Sequence, residues 1–596
     1  MRHVRKLYKE VLEVLPADAA RFLHRYSFSL SLLAVFDAAA LGLLAITINP
    51  MISGSSLTLP FIGTVNHVGL LVILGVVCLL IIVKGVFAVA LLWAATRRFA
   101  RYELAIGSRL FSSYISAPWV ERLKRNSSDL VRMSDSSVGA TISAFLLPGS
   151  TLMGEITTFI VIVVVLAIFK PLVAGVGIAY LGLVGAVLFF WVSKKARQAG
   201  RVNLAATRRT SRLITEMVAA LKEVTLRNKL GEVAEVVANS RRESSRARSN
   251  IQFLAQVPRY VLESAIIGGF VIVGVVGFVT GGPEAAVAAV GLFGLAGFRL
   301  APSIIRFQAI VSQMTANAPH AEAVIREIRT SEKAMAIYEN RDAHPLPANM
   351  RELVFDEVGF RYVEGAEVAV EAVSLRIEFG SAVAFVGSSG AGKSTMIDLI
   401  LGLIEPTSGS IAVDAISLTE LTDAWRARVG YVPQDVALFD ASIAENVALS
   451  WTGEIDRDRV RDCLAKAQLL EFIEARDGGI DGKVGERGMA LSGGQRQRLG
   501  IARALYSQPL VLVMDEATSA LDTTTEAAVT EAIRGLHGEI TVVTVAHRLS
   551  TVKHVDQLFF MSGGRVVDSG TFDELVERVP EFAAQARLAG LTDSAL

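Results

Sequence analysis

The first half of the chain is organised by long apolar runs and the second by short alternating ones. Stretches near 27–49, 66–95, 137–169, 172–193, 257–280 and 285–307 are each long and apolar enough to cross a hydrocarbon core of roughly 30 Å as a helix. Six crossings return the chain to the side on which it began. The polar segments between the runs set the orientation. The stretch after Thr96 carries Arg97, Arg98, Arg101, Arg109, Arg122, Lys124, Arg125 and Arg132, and 194–250 is similarly basic, whereas 50–60, 170–171 and 280–284 hold almost no positive charge. Basic loops stay on the cytoplasmic side, so both termini are expected inside. The two basic stretches are too long for turns and poor in glycine, which predicts that spans two to five continue as helices well beyond the membrane.

From Glu352 the pattern changes. Short β-rich runs (LVFDEVGFRY, VAVEAVSLRI, SAVAFVG, LVLVMDE, TVVTVA, QLFFMS) alternate with helical segments, as in an α/β domain around a largely parallel sheet. The organisation expected is a transmembrane domain over 1–330, a linker over 331–350 and an α/β domain over 351–596.

Composition supports this division. Of 596 residues, 52% are hydrophobic, and the mean hydropathy is +0.47 with a net charge of +1, too apolar for a wholly soluble chain of this length. Cys78 and Cys463 offer neither a disulfide framework nor a metal-ligand spacing and are read as packing residues. The first 26 residues carry Arg2, Arg5, Lys6, Lys9, Arg21 and Arg25 without a short apolar core and small-residue cleavage site, so no removable signal is expected.

Chemistry concentrates in the second half. GSSGAGKST (387–395) follows an apolar strand and precedes an apolar helix, and it fits the phosphate-loop spacing G-x-x-x-x-G-K-[ST]. The backbone N–H groups of Gly387, Ser388, Ser389, Gly390, Ala391 and Gly392, with Lys393, Ser394 and Thr395 at the helix start, can surround a nucleotide's phosphates. Lys393 would reach the β- and γ-phosphates, and Ser394 would ligate Mg²⁺. LVLVMDE places Asp515 and Glu516 at the carboxyl end of a buried strand, the ligand side of such a sheet. Asp515 is placed to hold the magnesium through water, and Glu516 to orient or deprotonate the water that attacks the γ-phosphate. His547, just past the strand TVVTVA, is placed for a γ-phosphate contact.

With LSGGQ (491–495), MDEATSALD (514–522), AHRLST (546–551) and YVPQD (431–435), this half resembles the nucleotide-binding domain of an ATP-binding-cassette transporter over nearly all of 351–575. The resemblance implies ATP and Mg²⁺ as cofactors. It also implies that Ser492, Gly493, Gly494 and Gln495 bind the γ-phosphate held by the opposite subunit. Tyr362 in FRYVEG would stack on adenine, Gln434 would sense magnesium and couple to the membrane helices, and Asp522 would cross the dimer. FRYVEG lacks the proline that often follows this tyrosine. KVGERG (483–488) is similar to a stretch found ahead of the signature in exporters. Short helices near 118–129 and 215–227 would press on the cassettes.

One phosphate loop and one signature per chain cannot build the paired ATP sites, so a homodimer is expected. The fold class is therefore a membrane protein with a six-helix α transmembrane domain of exporter type and an α/β phosphate-loop nucleotide-binding domain. The expected location is the cell inner membrane, multi-pass, with lipid as partner and no nucleic acid. A membrane-tethered ATPase for DNA repair or translation is disfavoured by the fused spans, and a nutrient importer by the fused cassette and VGERG.

VPRYVLESAI (257–266) and GFRLAPSIIRF (297–307) look like segments of bacterial lipid-linked oligosaccharide flippases and polysaccharide exporters, with multidrug or lipid export as the alternative. Among the intramembrane charges, Arg299, Arg306, Arg259 and Lys84 are candidates for binding an anionic lipid-linked substrate. The structural alternatives are an Arg259–Glu263 pair one turn apart, and interfacial placement of Arg299 and Arg306 or their pairing with Asp37 or Glu155.

Overall fold

The computed structural model describes residues 2–53, 57–59, 63–65, 67–169, 171–339, 344–347, 349–363, 367–485, 488–516, 523–546 and 549–591. Within these, the side chains at 37–38, 41–68, 70, 127, 165–174, 288, 292, 295–299, 337–339, 523–525, 532 and 550 lie outside the description. The chain divides into two compact units, one of Met1–Ala117 and Glu121–Ala336, the other of Pro118–Val120 and Ile337–Leu596.

Up to Glu339 the described chain is mainly helical: α1 (Arg2–Val14), α2 (Asp18–Ser53), α3 (His67–Ile115), α4 (Trp119–Leu123, whose first two residues belong to the second unit), α5 (Ser127–Arg132), α6 (Leu147–Phe169), α7 (Pro171–Ala219), α8 (Leu221–Leu226) and α9 (Leu230–Glu339). Four segments among the described residues are long and apolar enough to cross a membrane by length and composition: Leu71–Ile115, Ser128–Val164, Gly175–Ala219 and Leu230–Val287. The other two expected runs, 27–49 and 285–307, lie on α2 and α9, partly where side chains are outside the description. Helices α3 and α7 have 49 residues each, about 73 Å at 1.5 Å per residue, more than twice the apolar core of a bilayer.

Along α9 the helical backbone breaks at Gly281 and Gly282, the latter at φ 77, where the sequence reads TGGPE. The expected loop after the first span holds a two-stranded antiparallel ribbon, β1 (Leu57–Leu59) and β2 (Gly63–Val65). Between α5 and α6 run two π-helical turns, Met133–Ser137 and Ala140–Leu146. The amphipathic α1 buries Leu7, Val11 and Val14 in a core shared with Tyr26, Phe99, Phe145, Met314 and Ile325.

The second unit carries the α/β domain. A six-stranded sheet runs in the order β12-β11-β5-β10-β9-β8, from β5 (Ala382–Gly387), β8 (Val429–Val432), β9 (Val511–Asp515), β10 (Thr541–Val545), β11 (Gln557–Ser562) and β12 (Arg565–Gly570). All neighbours are parallel except β11–β12. Strands β5, β9 and β10 are buried along nearly their whole length because both faces of the sheet are covered. A second, antiparallel sheet of β4 (Val370–Glu378), β3 (Glu352–Phe360), β6 (Ser408–Val413) and β7 (Ile416–Ser417) shares with it a core containing Phe355, Phe385, Trp425 and Phe559. β4 alternates in burial from Val373 to Glu378 and β3 over its first four residues, the pattern of half-covered strands.

Candidate nucleotide site

Buried β5 ends at Gly387, and the loop 388–392 leads into α10 (Lys393–Ile400). Gly387 (φ 148) and Gly392 (φ 98) hold conformations that side chains oppose, and a Cβ at either would strike a backbone carbonyl, Met561 O or Ala369 O. No side chain caps α10, so the first-turn N–H groups, through Ser394 and Thr395, remain directed at the loop. The Lys393 ammonium is buried and donates to Gly387 O and Ser388 O, both at 2.8 Å. Burial lowers its pKa, while the nearby Glu516 and Asp515 carboxylates pull the other way. Ala391 is buried, and its N–H donates to Ser388 O while its carbonyl accepts from Gly564 N, which fixes the turn through Ser389 and Gly390. The Tyr362 hydroxyl lies 3.2 Å from Thr395 Oγ1, and the ring packs edge-on against Phe360.

Register carries the acids to the same end of the sheet. Val545 of β10 pairs with Phe385 of β5 on one side and Asp515 of β9 on the other, so Asp515 lies two strands, about 10 Å, from the loop strand. Glu516 follows with φ 50, a left-handed conformation that costs a residue of this type of order 1–2 kcal/mol. Its N–H donates to Val545 O at 3.1 Å. Gln434 Nε2 donates to Glu516 Oε2 at 3.0 Å, bringing these two candidates into direct contact. Lys393, Asp515, Glu516, Gln434, Tyr362 and Thr395 are thus gathered at the carboxyl end of the strands. His547 and Asp522 lie outside the described residues.

The signature turn is built as a helix cap. Ser492 precedes the helix Gly493–Tyr506; its Oγ accepts from Gln495 N at 3.3 Å, and Gln495 Oε1 accepts from Ser492 N at 2.7 Å. This reciprocal cap leaves Gly493 and Gly494 as bare backbone in the first turn, where an anion meets only N–H groups.

Residues 370–519 match the family model described as ABC transporter. The chain is 45% identical over 242 residues to a protein of Polaromonas sp. (strain JS666 / ATCC BAA-500) named ATP-dependent lipid A-core flippase, which is 40% of each chain. It is 43% identical over 243 residues, again 40% of each chain, to the Beta-(1-->2)glucan export ATP-binding/permease protein NdvA of Rhodopseudomonas palustris (strain BisB18). The matched stretch thus spans less than half of these curated relatives. A solved bacterial Atm1-family ABC exporter with ATP bound superposes over 98% of this chain and 100% of its own, with a TM-score of 0.76 and 22% identity. The chain has the fold of that ABC exporter.

In the helical unit the charged candidates are mostly engaged. Arg306 Nε lies 2.9 Å from Glu155 Oε1, and Ser303 Oγ donates to the Glu155 carbonyl and more distantly to its Oε2. Arg259 Nε donates to Glu263 Oε1 at 2.9 Å, one helical turn away. Both are the pairings named above as structural alternatives. Lys84 also has a partner. The Arg299 and Asp37 side chains lie outside the description. A cavity of about 430 Å³ is lined by Glu155, Phe159, Phe189, Ile304, Phe307 and Gln308 among others.

Sequence reasoning missed several groups in the α/β domain. Buried Gln497 donates from Nε2 to Glu516 O at 3.3 Å, so the signature helix supports the strained residue directly; an uncharged Gln between two arginines in QRQR is the only sequence signal for it. Asp398 on α10 has its pKa pushed up to about 6 by burial, opposed by a hydrogen bond from Trp119 and reinforced by Asp515. Tyr431, beside both acids, is pushed up to about 12, mainly by burial.

Proposed function

We propose that the chain works as a homodimer that couples ATP hydrolysis to export or flipping of an amphipathic substrate, a lipid-linked oligosaccharide or polysaccharide precursor, across the cell inner membrane. The membrane domain occupies 1–330 with both termini cytoplasmic, and the cassette occupies 351–596 after a linker over 331–350. The observation that carries the reading is the joint placement of Lys393, Asp515 and Glu516 at the carboxyl end of the parallel strands beside a phosphate loop, with a separate helix start at Ser492 whose cap is bonded within the chain.

In this reading Tyr362 stacks on adenine and the loop from Gly387 to Thr395 encloses the phosphates. Ser394, Gln434 and Asp515 hold Mg²⁺, Asp515 through water. Glu516 orients the attacking water, His547 contacts the γ-phosphate, and Ser492, Gly493, Gly494, Gln495 and Asp522 complete the partner's site. The names of the relatives, one a lipid A-core flippase and one a glucan exporter, support a glycan-bearing amphiphile. A second reading, multidrug or lipid export, is favoured by the commitment of Arg306 to Glu155 and the apolar walls of the neighbouring cavity, which leave less cationic surface for a diphosphate headgroup. The test is ATPase stimulation of the purified dimer by lipid-pyrophosphate oligosaccharides, lipid A and a drug panel. Stimulation by the glycolipids alone supports the first reading, and stimulation by drugs alone the second.

A further inference from the structure

A group of cationic side chains in the first unit belongs to neither the nucleotide site nor the apolar cavity. Arg132 ends α5 and is buried, with 8% of its surface exposed. Its Nη1 donates to Ser137 Oγ at 3.1 Å, and Ser137 Oγ lies 3.1 Å from His320 Nδ1, so the hydroxyl accepts from the arginine and donates to a neutral imidazole. Among the described residues, buried Nε and Nη2 of Arg132 have no hydrogen-bond partner, and neither does buried Nε of Arg208. The acid paired with the group is Asp129, 3.8 Å from Arg132 Nε and shared with Arg212 at 3.9 Å. Arg132 and Arg212 thus share one carboxylate, while no ion pair is found for Arg208 among the described residues. Buried guanidinium N–H groups without acceptors are costly, and a buried cation normally has its charge matched.

His320 reports the same field. Its pKa is lowered to about 4 by burial and by the charges of Arg132 and Arg208, so it stays neutral and adds an imidazole to the group without adding charge. The backbone is unusual at this place too. The π turn Met133–Ser137 begins directly after Arg132, and such turns are rare and recur at functional sites.

We propose that Arg132, Arg208, Ser137 and His320 form a binding site for a phosphate-type oxyanion. Guanidinium suits that chemistry because its planar fork bonds two oxygens at once. The position of the site favours a soluble anion over a lipid headgroup. Arg208 lies 15 residues along α7 past the apolar run that ends at 193, about 22 Å of helix, and Arg132 lies five residues before the apolar run that begins at 137.

The test uses the full-length protein in zwitterionic nanodiscs, saturated with Mg·ADP so that the phosphate loop is occupied. Inorganic phosphate, with chloride as ionic-strength control, is titrated while thermal unfolding is followed in wild type, Arg208→Gln, Arg208→Lys and Arg132→Gln. Arg208 is only half-buried, so its variants carry the test if Arg132→Gln does not fold; Mg·ADP binding checks that they do. The expected result is stabilisation of wild type by phosphate, with about tenfold or more phosphate needed for Arg208→Gln and an intermediate requirement for Arg208→Lys. A second arm replaces phosphate with phosphatidate in the nanodisc. A stabilisation seen only there, and lost in Arg208→Gln, supports the site with a headgroup as its anion. Identical responses of wild type and Arg208→Gln in both arms overturn the proposal.

Discussion

Breaking the Glu155–Arg306 pair should have unequal effects depending on which partner is removed. The two ions stand 2.9 Å apart, with the Glu155 side chain 19% exposed and Arg306 57% exposed. At an effective dielectric near 20 their gross attraction is about 6 kcal/mol, most of which is offset by desolvation. Arg306→Ala leaves the more buried charge with Ser303 as its remaining hydrogen-bond partner among the described residues, and removing one partner of such a pair costs about 3–5 kcal/mol. Glu155→Ala leaves an arginine that already reaches outward and can extend to the interface, so its cost should be about 1–2 kcal/mol. In the double mutant neither charge is stranded, and the cycle should show a coupling of about 2 kcal/mol. The assay is reversible denaturant unfolding of the membrane unit in the full-length protein, with basal ATP hydrolysis measured in parallel. A coupling below about 0.5 kcal/mol, or an Arg306→Ala protein as stable as wild type, refutes the structural role of the pair and returns Arg306 to the list of substrate contacts.

Four further outcomes follow from the site and the fold. Glu516→Gln should bind ATP normally and hydrolyse it about 10²–10⁴-fold more slowly, measured by nucleotide binding and phosphate release on one preparation; near wild-type turnover removes Glu516 from the water-positioning role. Lys393→Ala should instead weaken nucleotide binding itself, read by titration, because its contact is present before and during reaction. Asp398→Asn should stabilise the cassette above pH 6 and not below pH 4. The carboxyl's folded pKa of about 6 lies above its ordinary 3.8, so its stability contribution is complete below the latter and is lost as pH rises through the former, a cost of up to about 3 kcal/mol; equal unfolding temperatures of mutant and wild type at pH 8 refute this. Cysteine introduced at Gly282 should be labelled from outside intact cells and at Glu232 only after permeabilisation; the reverse pattern overturns the orientation read from the basic loops.

What the sequence conveyed and what it did not divide by range. SAVAFV, GSSGAGKST and MIDLILGLI are contiguous, so a strand, a phosphate loop and a helix could be read as one local unit, and β5 and α10 lie there. Arg259 and Glu263 are one turn apart on a single helix, so their pairing was nameable. Arg306 and Glu155 are 151 residues apart on different helices, and nothing local favours that partner over Asp37. Strands β6, β7, β8 and β12 were not foreseen. SGSIAV and RVVDSG carry glycine and exposed positions that weaken the strand pattern, and β8 has only four residues, so tertiary pairing decides them. The π turns after Arg132 have no composition signal, since MSDSS and ATISAFL suit an ordinary helix or a cap equally well. The Gln434–Glu516 bond joins residues 82 apart and appears only when β8 and β9 lie side by side.

The left-handed backbone at Glu516 bears on how this protein would respond to directed evolution. A glycine there would adopt the conformation freely and an asparagine at little penalty, so both are downhill for folding, while either removes the carboxylate that Gln434 holds. A library screened only for thermal survival should therefore enrich Gly or Asn at 516 and return robust proteins that have lost turnover. A screen for turnover should keep the strained glutamate and recover stability elsewhere, so position 516 serves as an internal marker of which pressure a selection applied.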